Sequence, residues 1–120
     1  MATKRKPVKT PDPKGIPGAK KVQLHLVPPS AIEAEARAFE DGAVKYGPFN
    51  WRESDSVKAS TYYSAALRHL AAWWGGENQV PDNVKAHHLG AARASLAILL
   101  DSMAAGTLTD DRPKPITRKA

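Results

Sequence analysis

The stretch Asn83–Ala105, NVKAHHLGAARASLAILLDSMAA, decides how this chain is read. Leu89, Leu96, Leu99, Leu100 and Met103 recur at helical spacing and predict a core-facing stripe. Ala86, Gly90, Ala94, Ala97 and Ala104 make a second face of small side chains. Such a face lets another helix approach closely, either within the domain or across a subunit interface. Asp82 or Asn83 is the expected cap and Gly106 the stop.

Working outward, Glu77 to Pro81 reads as a turn. Before it, a second helix is expected from a cap at Asp55 or Ser56 to Trp74, ended by Gly75-Gly76. Its apolar stripe is Tyr63, Ala66, Leu67, Leu70 and Trp74. The first helix is expected from Ser30, where Ser30-Ala31-Ile32-Glu33 has capping-box spacing. Ile32, Ala36, Phe39, Ala43 and Tyr46 form its face, and Gly47-Pro48 stops it. Val22 to Val27 suits an extended segment lying on the core. The fold class is therefore all-α: a compact bundle of three main helices at about residues 30–46, 56–75 and 83–105. Residues 22–106 form the domain. A flexible basic arm (1–21) precedes it and a flexible tail (107–120) follows. Trp51, Tyr62, Tyr63, Trp73 and Trp74 are many large rings for three helices to cover. Part of that surface is expected to serve as a homo-oligomer contact, in a dimer or tetramer, or as a ligand pocket.

Composition narrows the class. The net charge of +6 sits outside the helices. Residues 1–21 carry seven basic side chains against Asp12 alone, whereas residues 22–106 carry seven basic and nine acidic ones. Nucleic acid could be bound only through the basic arm, and a solubilising leader is the simpler reading of it. The absence of cysteine fits a reducing cytoplasm and excludes disulfides and thiolate zinc sites. No apolar run has bilayer length, so no membrane partner is expected.

Several residues can carry chemistry. On a wheel of about 100° per residue, Glu35 falls on the apolar side of the first helix. A carboxylate there is costly unless it is ion-paired, hydrogen-bonded or bound to metal. A salt bridge to Arg68 or Arg93 and a functional role both remain open. His88 and His69 lie at the edges of their helices' apolar faces. The adjacent pair His87-His88 points two ways and cannot chelate on one face. Glu77 and Asp82 bracket the turn, and Asp101 reads as a solvated charge. The loop Asn50-Trp51-Arg52, with Lys45 and Tyr46, offers a stacking surface, a base-edge hydrogen bonder and phosphate counter-charges.

At those residues a resemblance enters. Leu26-Val27-Pro28-Pro29, Gly42 to Gly47, Asn50-Trp51-Arg52, Ala66 to Leu70, Trp73, Gly76-Glu77, His88-Leu89 and Leu99-Leu100 follow one order and spacing. They resemble the phage and bacterial dATP/dGTP diphosphohydrolase N-terminal domain family, a group set beside the MazG-like all-α nucleotide pyrophosphohydrolases. The resemblance covers residues 20–101. It implies hydrolysis of purine deoxynucleoside triphosphates to monophosphate and pyrophosphate with Mg2+ or Mn2+. By position it carries over Glu77 and His88; on that reading Glu77, Asp82 and His88 would serve catalysis, and Glu35 and Glu77, with Asp82 as a further candidate, would hold the metal. Lys45, Tyr46, Asn50, Trp51, Arg52, Arg68 and His69 would bind substrate. Two departures stand out: Val80-Pro81-Asp82-Asn83 replaces a more acidic stretch, and Ala91 stands where a second histidine often follows. The alternative is a non-catalytic protein that binds or sequesters the nucleotide. A DNA-associated module is disfavoured by the acidic balance of the helices.

Overall fold

Proline decides where the first helix begins. Pro29 occupies its first turn, where a missing N–H costs nothing and a fixed φ is already helical. The carbonyl of Pro28 accepts from the amides of Ala31 and Ile32 at 3.1 and 3.2 Å. Helix α1 therefore spans Pro29–Tyr46, one residue ahead of the expected start, and Ser30 makes no side-chain cap. The capping box does not form, because Ser30 is already inside the helix. Gly47, at φ 88°, ends it as expected.

The computed structural model describes residues 20–53, 57–83 and 85–115. The expected caps Asp55 and Ser56, residues 1–19 of the basic arm and the last five residues of the tail lie outside them. Helix α2 spans Ala59–Trp74 and helix α3 spans His88–Ala105. Both start later than expected. Before α2, Val57–Lys58 form a short strand, β1, paired in parallel with Leu108–Thr109, strand β2. Val57 is fully buried there. Before α3, Gln79 and His87 form an antiparallel bridge, and the Ala86 amide donates to the Asn83 carbonyl at 3.2 Å. These bonds keep residues 79–83 and 85–87 out of the helix. His87, not Asp82 or Asn83, is the cap: its Nδ1 accepts from the Leu89 amide at 3.0 Å.

The start of the expected flexible tail is instead docked. Gly106 adopts φ 74° and closes α3, and Thr107 Oγ1 donates to the Trp51 carbonyl at 2.9 Å. Asp111 then reaches the N-terminus of α2, accepting from the Ser60 amide at 2.8 Å and from the Ser60 hydroxyl. The helix is thus capped by a carboxylate far away in sequence, where the macrodipole favours negative charge.

Helices α1 and α2 each pack on α3 and make no comparable contact with one another. Small residues do the packing. Gly90, Ala92 and Ala94 of α3 and Ala66 of α2 are buried. Most of the expected core stripes face outward: Tyr63, Leu67, Leu70 and Trp74 of α2 are exposed, as are Leu96, Leu100 and Met103 of α3, whereas Ala66 is buried and Leu89 and Leu99 are half-buried. The spacing is that of a helical face, but spacing alone does not say which face meets a neighbour. Val22, Leu24 and Leu26 are exposed as well, and Leu24–Leu26 form a 3-10 turn in place of the expected extended segment on the core.

The α1–α3 crossing rests on Gly90. A Cβ placed there would lie 2.7 Å from the Ala34 carbonyl carbon and closer still to its oxygen. Backbone cannot yield as a flexible side chain can, so Gly90→Ala should destabilise the fold by about 1–3 kcal/mol in urea unfolding. Gly42, also in α1, has nothing within 4 Å of where a Cβ would sit. Gly42→Ala should therefore raise stability by roughly 0.5–1 kcal/mol through helix propensity alone. Equal effects from the two substitutions would refute the close-approach account.

Candidate functional site

Because α1 and α2 do not close on each other, they leave space between them over α3. Two adjoining clefts occupy it, of about 600 Å³ and about 550 Å³, sharing the walls Ala38, Ala94 and Ile98. Both sizes fall within the range of small-ligand sites. The larger is aromatic, with Phe39, Tyr46, Phe49, Trp51 and Tyr62 among its walls. Burial and the neighbouring Tyr46 push the Tyr62 hydroxyl above its ordinary pKa. The smaller is polar and includes Asp41, Lys45, His69, Asp82 and Ser95.

The expected nucleotide loop borders the aromatic cleft. Phe49, in the left-handed region at φ 55°, turns the chain into a single 3-10 turn, Asn50–Arg52. Asn50 is half-buried on the cleft wall. Trp51 is buried between Phe39 and Phe49, with ring centroids 5.3 and 5.4 Å away. Its Nε1 donates to Asp101 Oδ2 at 2.6 Å. Arg52 grips the same carboxylate with two hydrogen bonds, of 2.7 and 2.9 Å, and lies over the Phe49 ring. Two expectations are corrected here. Asp101 is not a solvated charge but the anchor of this loop, and Trp51 is a packed wall, not a freely presented ring. Arg52 is likewise committed to Asp101. No local signal in the sequence joins position 101 to positions 51 and 52.

The polar cleft is reached by a line of three side chains. The loop after α2 brings Glu77 Oε1 to 2.6 Å from His88 Nε2, at the start of α3. The other nitrogen of His88, Nδ1, lies 2.9 Å from His69 Nδ1 on α2. His88 is buried, and His69 lines the cleft. Burial, followed by the His88 ring and the Arg68 charge, holds the His69 imidazole below its ordinary pKa. Three residues singled out from sequence are thus brought together, although nothing in the sequence marks the contact between the two imidazoles. Lys45 is ion-paired with Asp41 at 2.9 Å, which raises its pKa. Asp82 is exposed at the rim in the left-handed region, at φ 64°. Tyr46 and Arg68 are exposed.

Glu35 is the half-buried member of an ion pair. Arg93 Nη2 donates to Glu35 Oε2 at 3.1 Å, while Arg93 Nε is buried without a partner. This is one of the two salt bridges considered from sequence. Glu35 and Glu77 are therefore taken up by different basic partners. Among the described residues, no group of three His, Asp or Glu side chains converges as metal ligands would. The donor set in this chain does not fit the expected Glu35–Glu77 metal site.

The family model described as dATP/dGTP diphosphohydrolase, N-terminal, matches residues 11–112. No curated protein and no solved structure matches the chain.

The Asp101 anchor makes a pH-dependent claim. Hydrogen bonds from Arg52 and then Trp51 lower its pKa from 3.8 to about 2. A depressed carboxyl stabilises the fold fully above its ordinary pKa, and the contribution is lost as pH falls through the folded value. Asp101→Asn should therefore melt below the wild type at pH 7, with a gap that narrows as pH drops from 4 toward about 2. A gap independent of pH would show that the carboxylate charge is not what holds the loop.

Proposed function

This chain belongs to the dATP/dGTP diphosphohydrolase N-terminal family, and on that premise we propose that it hydrolyses purine deoxynucleoside triphosphates to monophosphate and pyrophosphate. The observation that carries the reading is the groove between α1 and α2, aromatic at one end and polar at the other. A purine base is a flat apolar ring with a polar edge. It suits the end walled by Tyr46, Phe49 and Tyr62, with the Asn50 amide to meet its edge. The triphosphate then runs over Ala38, Ala94 and Ile98 toward Lys45, with Arg68 as a further positive charge. Arg52 contributes through the loop it fixes, since its guanidinium is occupied by Asp101.

Hydrolysis needs a group that takes a proton from water, and the polar end supplies imidazole. Glu77, His88 and His69 form a continuous hydrogen-bonded path to that end. Glu35 and Glu77 are each engaged by a side chain of this chain, Arg93 and His88. Magnesium enters as the counter-ion of the nucleotide. The competing reading is a protein that binds the nucleotide without turning it over, favoured by that same engagement of both glutamates.

We also propose that two copies associate through α2 and α3. Tyr63, Leu67, Leu70, Trp74, Leu96, Leu100 and Met103 are all exposed by 41% or more. Large apolar side chains left this open suit the buried part of a protein–protein interface. A second copy presents an equally apolar face, so a two-fold contact covers both.

Two measurements check these readings. Purified protein given each magnesium dNTP should release pyrophosphate from dATP and dGTP well ahead of dCTP and dTTP. Tight dATP binding without pyrophosphate would select the sequestering protein. Light scattering at micromolar concentration should give at least twice the 13.0 kDa chain mass, and Leu67→Glu with Leu100→Glu should return the monomer. A wild-type monomer would dismiss the interface.

A further inference from the structure

With both rings neutral, the hydrogen bonds of the two histidines fix where their protons sit. Glu77 Oε1, a carboxylate oxygen, can only accept, so His88 Nε2 must carry a hydrogen. A neutral His88 then has a bare Nδ1. That nitrogen faces His69 Nδ1 at 2.9 Å, and one proton must lie between them, so His69 Nδ1 is the donor. The last ring nitrogen, His69 Nε2, is left with its lone pair free. It has no protein partner among the described residues, nor is it a buried unpaired atom. His69 lines the polar cleft together with Lys45 and Asp82.

We propose that His69 Nε2 is the proton-accepting atom of the groove, with His88 and Glu77 as positioning residues that hold it in that state. This rests on the hydrolase reading for its role in turnover, but the proton assignment needs only the two contacts and neutral rings. As water attacks the α-phosphorus, His69 Nε2 takes one of its protons. The bond from that phosphorus to the bridging oxygen breaks, and pyrophosphate leaves with the electron pair. The cationic His69 ring shares its Nδ1 proton with His88, whose other N–H faces the Glu77 carboxylate. The new positive charge thus lies on a path that ends at a negative one. The acquired proton returns to solvent from Nε2 after products leave.

The surroundings suit an acceptor. His69 is held below its ordinary pKa by burial, by His88 and by Arg68 on its own helix, which favours the neutral ring whose lone pair can take a proton. Asp41 and Lys45 of α1 face the cleft as an ion pair, and Asp82 borders it from the loop before α3. None of these bonds the His69 ring. The assignment differs from the roles expected from sequence: His69 moves from substrate binding to proton acceptance, and His88 moves from catalysis to support.

Nitrogen-detected NMR on the nucleotide-free full chain tests the assignment without turnover. At neutral pH, His69 should carry its proton on Nδ1 and His88 on Nε2. Glu77→Gln should lower the His69 pKa by about one unit, because the distant negative charge no longer favours the cation. In kinetics, the acid limb of kcat/KM should move down by the same amount in Glu77→Gln. His69→Asn should reduce kcat about 10²-fold or more with dATP binding retained. A His69 proton on Nε2, an acid limb unmoved by Glu77→Gln, or full turnover in His69→Asn would each overturn the proposal. Wild-type protein that binds dATP but releases no pyrophosphate would sink the hydrolase reading alone. The tautomers and the Glu77→Gln titration would still decide the proton assignment.

Discussion

The close approach of Gly90 to the backbone of Ala34 is what the rest of the structure depends on. With no side chain at position 90, α1 lies against α3 at a distance that even a methyl group would prevent. The same economy of size runs along α3, where Ala92 and Ala94 are buried and the larger leucines and Met103 are partly or largely exposed. A core built from small side chains holds little apolar area per residue, so close approach has to compensate through dispersion across many atoms. Dispersion forfeited at one crossing is therefore not easily recovered at another.

That packing also creates the groove. Two helices resting on a third need not touch each other, and α1 and α2 diverge enough to leave both clefts open. Their shared walls, Ala38, Ala94 and Ile98, are short enough to leave the floor clear. Large rings are instead gathered at one end, where the Asn50–Arg52 turn is pinned from α3. Asp101 lies near the C-terminus of that helix, where the macrodipole disfavours an acid. The Arg52 guanidinium and the Trp51 N–H reverse that penalty, and in doing so they hold the loop against the groove. Residues that look like ligands in sequence serve here to shape the wall.

The number of helices and their glycine stops at Gly47, Gly75 and Gly106 can be read from sequence because each is a local signal. Helix starts are less legible. Pro29 outranks Ser30, and the cap of α2 comes from Asp111, about fifty residues away. Which apolar face turns inward is not legible either: Leu67 and Ala66 are neighbours in sequence, yet only Ala66 is buried. Period gives the stripe, while only the partner helix determines which stripe is covered. Among the site residues, Glu35 is marked by its cost on an apolar face, and that cost is met by Arg93. Asp101 carries no mark at all, since a charge on a helix exterior looks the same whether or not a distant loop has come to meet it.

The Glu77–His88–His69 line shows how burial can be both structural and chemical. A buried imidazole needs its polar atoms satisfied, and His88 has both of its nitrogens bonded within the protein. Were that all, the line would end on a second satisfied ring. It ends instead on a ring with one nitrogen bonded and the other free, at the wall of a polar cleft. Packing alone does not call for a second imidazole whose remaining nitrogen is left at the wall of an open cleft. The two histidines are asymmetric, one satisfied on both sides and the other on one. That asymmetry orders the three residues: the carboxylate sets the tautomer of the first ring, the first ring sets that of the second, and only the second meets what enters the groove.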